Sequence, residues 1–166
     1  MKKFKDKRGF TLIEVLVVVA IIGILSAIST PILVQNIDKA KVTRIIAKYD
    51  AFKKATISNM TSSEIKLDEE LIKTITNEVN SVPDITPIGG KYLLIPLENE
   101  KVKCIDKDGN KLKEDTLISW QVALGIVESD DNDIYMTDKQ FKQLVKSLGN
   151  TNIVTKDNGL YIKIVD

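Results

Sequence analysis

Few side chains in this sequence could do chemistry, and most of those are carboxylates. Histidine is absent and Cys104 is the sole thiol, so one chain can build neither histidine acid/base catalysis, nor a Cys/His zinc site, nor an internal disulfide. Two acidic clusters have the composition of a hard-cation site. In "DKDGNK", Asp106, Asp108 and Asn110 stand like the first three ligands of a calcium loop. Gly109 comes two places early, however, and the position of the closing bidentate acid is Leu117. An exposed turn accounts for that stretch better. In "ESDDNDIYMTD", Glu128, Asp130, Asp131 and Asp133 crowd one loop. A solvated acidic loop is the commoner outcome of such a composition, and calcium held by Asp130, Asp131 and Asp133 is the alternative. No nucleophile–base pair, phosphate loop or cofactor motif accompanies these acids, which points to a building block rather than an enzyme. One carboxylate remains, Glu14, and it stands alone in an uncharged run.

The element that must position Glu14 is a helix. From Phe10 to Ile37 it is the only ionisable side chain, and Val15 to Ile37 is an uncharged stretch of 23 residues. At about 1.5 Å per residue this reaches roughly 34 Å, enough for a hydrocarbon core of about 30 Å. Lys2, Lys3, Lys5, Lys7 and Arg8 precede it, so the positive-inside rule places the N terminus in the cytoplasm and the remainder outside. A signal anchor explains the length and the charges. A secretory signal peptide explains the basic start and the small residues Ser26, Ala27 and Ser29. Neither explains an acid that costs about 2.5 to 3.5 kcal/mol at a bilayer centre and less toward its edge. Such a group calls for a cation. Cleavage after Gly9 would supply one, the new α-amino group of Phe10, in the same chain or in a neighbour.

The stretch "RGFTLIEVLVVVAIIGILSAISTP" resembles the class III signal of type IV pilins and pseudopilins: a short basic leader ending in Gly, then Phe, Thr, Leu, an apolar residue, Glu and an apolar helix. The resemblance implies that a prepilin peptidase cuts between Gly9 and Phe10 and methylates the Phe10 amine. It further implies that Glu14 sets subunit register by pairing with a neighbour's amine, and that Gly23 and Pro31 mark helix able to kink or melt in a filament. Proline removes a backbone donor and crowds the preceding turn, which makes that expectation physically reasonable. The implied partners are other pilin subunits, the peptidase, an inner-membrane assembly platform and the lipid bilayer. The implied location is the cytoplasmic membrane, then a surface filament. Some major pseudopilins bind calcium through a loop near the C terminus, which the Asp130, Asp131 and Asp133 loop resembles. Unable to form an internal disulfide, the chain resembles the disulfide-free pilins of Gram-positive bacteria and the pseudopilins.

Past Ile37 the pattern becomes amphipathic. Val42, Ile45, Tyr49, Phe52 and Thr56 recur at steps of three and four, and no glycine or further proline interrupts the run to Met60. The stripe is too short for a coiled coil and predicts packing on a head domain. The expected organisation is a leader over 1–9, a transmembrane and polymerisation helix over 10–37, its amphipathic continuation over 38–61 and a head over 62–166. In the head, Asp68 caps a helix bearing Leu71, Ile72, Ile75 and Val79, and "NSVPDITPIGG" breaks regular structure. "KYLLIPL", "KVKCI", "NIVT" and "LYIKIV" read as strands, with a hairpin turn at Asp157, Asn158 and Gly159, and "TLISWQVALGIV" reads as strand or helix, with strand preferred. A helix from Thr137 or Asp138 stops at Gly149, and Cys104 is expected as a small buried apolar residue in its strand. The fold class is thus α+β and pilin-like, a long N-terminal helix on a small antiparallel sheet. Five cations against Asp6 give the first nine residues about +4, and the total of +1 leaves the rest at about −3, so nucleic acid is not an expected partner.

The functional expectation is a type IV pilus subunit serving adhesion and surface motility. A pseudopilin of a type II secretion or competence system is the alternative, and a membrane-anchored extracytoplasmic binding domain is the alternative of a different class.

Overall fold

The computed structural model describes residues 10–60, 68–79, 86–128 and 133–165. Helix α1 runs Leu12–Asn59, α2 Glu69–Val79 and α3 Asp138–Leu148. The strands are β1 Lys91–Ile105, β2 Lys111–Val127, β3 Ile153–Lys156 and β4 Gly159–Val165. The chain divides into two units, one ending at Asp38 and one beginning at Lys39.

Among its described residues the first unit is the N-terminal stretch of α1, preceded by Phe10 and Thr11. Its apolar side chains are all exposed, Leu16 at 61 % and Ile24 at 63 %, and among the described residues α1 is the one helix long and apolar enough to cross a membrane. The helix is unbroken at Gly23 and Pro31. Beside the donor that Pro31 lacks, the Thr30 hydroxyl donates to the Ser26 carbonyl at 2.7 Å.

The second unit is built on the rest of α1. Val42, Ile45, Tyr49, Phe52, Ala55 and Thr56 are buried, which bears out the apolar stripe. They share a core with Ile75 and Val79 of α2, Leu94 of β1, Val122, Leu124 and Ile126 of β2, Leu144 of α3, and Ile153, Leu160 and Ile162 of the last hairpin. Asp68 caps α2 as expected, its Oδ1 accepting from the Leu71 amide at 2.8 Å. At α3 the cap is Thr137: its hydroxyl accepts from the Gln140 amide while the Gln140 side chain accepts from the Thr137 amide, a reciprocal capping box.

The sheet is antiparallel in the order β1-β2-β4-β3. One sequence expectation needs revision. "KYLLIPL" and "KVKCI" form one strand, with register shifts on either side of Leu97. Pro96 has no amide to give to the ladder and Asn99 takes a left-handed backbone with φ 52°, so the chain is irregular there without ending. In addition β1 meets β3 through Lys103–Thr155 and Cys104–Val154, so the four strands close on themselves. Adjacent strand residues face opposite sides. Ala123 and Val154 accordingly join Leu97, Val102 and Trp120 in a second, smaller core, and Cys104 packs half-buried beside it.

Of the Pro- and Gly-containing break before β1, residues 80–85 lie outside the described residues and the part from Thr86 is pinned. Gly89 has φ +87°, and a Cβ there would lie 1.9 Å from the Asp133 carbonyl oxygen. One step along, the Tyr135 amide donates to the Ile88 carbonyl at 2.6 Å. A side chain at Gly89 would push apart two segments that this contact ties together.

Candidate assembly segment

Glu14 sits in the first turn of α1. Its Oε2 accepts from the Thr11 amide and from the Thr11 hydroxyl, each at 2.8 Å, and the Thr11 oxygen accepts in turn from the Glu14 amide at 3.3 Å. This is a capping box: a threonine before the first turn and a glutamate three residues on exchange bonds with each other's amides. A carboxylate at that end also meets the positive pole of the helix. Within a single chain Glu14 therefore has a partner, a role that the expectation of an external cation did not include. The signal was present in the sequence, since Thr-x-x-Glu directly before an apolar run is the capping pattern. Phe10, two residues before α1, is 85 % exposed. Gly9, the other half of the expected cleavage position, lies outside the described residues.

The remaining candidates behave differently. Asp106 spends its carboxylate on its own turn: Oδ1 accepts from the amides of Asp108 and Asn110 at 2.9 and 2.8 Å, and Oδ2 from the Asn110 side chain at 3.0 Å. These bonds, those from Asn110 foremost, hold its pKa below the ordinary carboxylate value. That is the exposed turn expected, with Gly109 at φ +83° completing it. Of the acidic loop, Asp130 and Asp131 lie outside the described residues. Asp133 accepts from the Tyr135 hydroxyl at 3.1 Å, and Glu128 from the Asn158 side chain at 3.0 Å. Among the described residues no three His, Cys, Asp or Glu side chains gather to hold a metal. A groove of about 530 Å³ opens between the β1–β2 turn, the β3–β4 turn and α3. Apolar Phe141 and Leu160 line it together with charged Lys142 and Asp157.

One residue of consequence was invisible in the pattern. Lys48, on the buried face of α1, is only 8 % exposed. Its Nζ donates to the Val79 carbonyl at 3.3 Å and stands 5.4 Å from the Phe52 ring centre and 6.0 Å from that of Tyr92. The lysine thus serves the C-terminal end of α2, where a carbonyl has no helical partner. Burial also raises the pKa of Tyr92 to about 12.

Comparison with known proteins agrees with this geometry. Residues 4–30 match the prokaryotic N-terminal methylation motif. The type II secretion system core protein G of Vibrio cholerae is 36 % identical over 100 residues, covering 58 % of this chain and 67 % of that protein. The type IV major alpha-pilin of Moraxella bovis is 34 % identical over 84 residues, 46 % of this chain and 53 % of that one. A fimbrial protein of Pseudomonas aeruginosa is 46 % identical over 54 residues, 32 % and 35 %. Matches to the fimbrial proteins and the alpha-pilin therefore span about a third to a half of their lengths. The solved structure of the major type IV pilin PilA1 from Clostridium difficile shares the fold, with a TM-score of 0.52, 24 % identity, and coverage of 79 % of this chain and 98 % of that one. The chain belongs to the family of type IV pilins and type II secretion pseudopilins. That is a family of structural subunits, as the sequence led one to expect.

Proposed function

We propose that this chain is the precursor of a type IV pilus subunit. A prepilin peptidase removes residues 1–9, cutting between Gly9 and Phe10 and methylating the Phe10 amine. The mature chain is held in the cytoplasmic membrane by residues 10–37, head outward, until an assembly platform extracts it into a helical filament. In the filament, Glu14 pairs with a neighbour's Phe10 amine, and the stretch around Gly23 and Pro31 is where α1 can bend or melt. The observation that carries this reading is the uncovered apolar length of α1 beginning at a capped Glu14, four residues after an exposed Phe10. An apolar helix that the described residues of its own chain leave exposed calls for cover by lipid or by other helices.

Adhesion and surface motility are the tasks proposed for the filament. Calcium at Asp130, Asp131 and Asp133 belongs to the same set of proposals. The second reading, a secretion pseudopilin, is favoured by the longer share of the Vibrio cholerae protein that aligns. Mass spectrometry of the protein purified from its own membranes tests the first step. A mature N terminus at methylated Phe10 is expected, and an intact leader or cleavage after Ala27 would sink the reading. Electron microscopy of cells at native expression then separates the two systems, since a pilus subunit yields surface filaments and a pseudopilin does not.

A further inference from the structure

Immediately after the apolar run, α1 changes character. Residues 38–54 hold six basic residues, Lys39, Lys41, Arg44, Lys48, Lys53 and Lys54, against Asp38 and Asp50, in a chain whose part beyond the leader is net acidic. Lys48 is turned into the head, so the first three are the cations nearest the apolar stretch. Lys39 and Arg44 are exposed and Lys41 is half-buried. Their angular placement is informative. At about 100° per residue, Lys41 lies about 60° from Arg44, while Lys39 lies about 140° from Arg44 on the other side. Between them Val42 and Ile45, both at 0 % exposure, face the core of the head. The three cations therefore flank the covered face of α1 on both sides instead of forming one stripe. A protein partner docks on one face of a helix, whereas a headgroup layer surrounds it.

The axial dimension agrees. Lys39 to Arg44 spans about 7.5 Å of helix rise. The polar layer of each leaflet is about 5 to 7.5 Å thick, half the difference between the whole bilayer and its hydrocarbon core. Lys39 comes two residues after Ile37, where that layer begins if residues 15–37 fill the core. Long basic side chains also leave their stems in apolar surroundings and carry their charge into such a layer.

We infer that Lys39, Lys41 and Arg44 form a collar that binds the phosphate groups of anionic phospholipid headgroups. The inference rests on the membrane-anchored state proposed above. In that state the collar fixes the depth of α1, and it is the electrostatic contact that extraction into a filament must break. The same chemistry could take free phosphate, so the test separates the two sources. The full chain and a K39Q/K41Q/R44Q variant are placed in nanodiscs containing equal phosphatidylcholine and phosphatidylglycerol. The lipids that stay bound after partial stripping are then counted by native mass spectrometry. The basic leader retains phosphatidylglycerol equally in both proteins, so that constant contribution is subtracted before the ratios are compared. Each surface cation is worth about fivefold in attraction to anionic lipid, so the retained ratio of phosphatidylglycerol to phosphatidylcholine should fall more than tenfold in the triple variant. A K39Q/R44Q variant, which leaves half-buried Lys41 untouched, should fall by a smaller factor. An unchanged ratio in the triple variant overturns the inference. So does retention of phosphatidylglycerol that excess inorganic phosphate abolishes in the wild type, which would mark a phosphate site and not a lipid one. A chain that fails to enter pure phosphatidylcholine discs instead defeats the membrane anchoring on which the inference stands.

Discussion

Replacing Glu14 in two ways separates two jobs of one carboxylate. Glutamine keeps an acceptor oxygen and can hold the capping box with Thr11, whereas alanine cannot. Both bonds to Oε2 are 2.8 Å long, but Thr11 stays as the cap in either variant, so Glu14→Ala should loosen the first turn of α1 by less than the about 1 kcal/mol that loss of the cap itself costs, and Glu14→Gln by less still. Charge acts between chains. A carboxylate about 4 Å from an amine gains on the order of 4 kcal/mol at an effective dielectric of about 20, and removing one member of a buried pair costs about 3 to 5 kcal/mol. That is roughly a hundredfold to a few thousandfold in subunit association. Both variants should stay in the membrane, and both should yield less than a tenth of the wild-type filament in the sheared, sedimented fraction, measured by immunoblot against whole-cell protein. Only Glu14→Ala should lose protection of the first-turn amides in detergent. Wild-type filament yield from Glu14→Gln would refute the charge argument and leave capping as the whole role of Glu14.

Three further outcomes follow from the head. Gly89→Ala forces a left-handed alanine, at about 1 to 2 kcal/mol, and drives a Cβ into the Asp133 carbonyl, so chemical denaturation should show a loss of about 2 kcal/mol or more. Thr56→Val should be neutral or stabilise by up to about 1 kcal/mol, because the buried Thr56 hydroxyl has no partner among the described residues and valine has nearly the same shape; a loss above about 1 kcal/mol would mean that the hydroxyl is satisfied. The Asp106 turn should be pH-dependent. Its folded pKa is lowered, so its contribution is present above the ordinary carboxylate value of 3.8 and is lost as pH falls through the depressed one. Amide exchange at Asp108 and Asn110 should accelerate there, and Asp106→Ala should remove that dependence.

Periodicity made the buried stripe of α1 legible, because Val42, Ile45, Tyr49, Phe52 and Thr56 are apolar or small and evenly spaced. It could not reveal Lys48. A lysine in that row reads as solvated, and its burial depends on Phe52 beside it, Tyr92 of β1 and the last carbonyl of α2, which only tertiary structure assembles. The closure of the sheet was hidden for a similar reason. Nothing local at Lys103 or Cys104 specifies pairing with Thr155 and Val154, since register across distant strands follows from how the whole sheet curls. The continuity of β1 was hidden as well: "KYLLIPL" and "KVKCI" read as two strands where the chain merely skips a rung around Leu97. The Thr11–Glu14 box was legible and was eclipsed by the more unusual suggestion that Glu14 awaits another chain.

The last hairpin has a consequence for synthesis. The Tyr49 hydroxyl donates at 2.9 Å to the carbonyl of Lys163, 114 residues later, and β4 lies between β2 and β3. During translation the amphipathic half of α1 is made well before the strand that covers it. Until residues 159–165 arrive, β2 has a neighbour on only one side and Val42, Ile45 and Phe52 lack part of their cover. Contacts this distant in sequence close slowly. The head is therefore completed only once β4 has been made, and the interval before that is when the nascent subunit is most exposed to proteases and to misassociation.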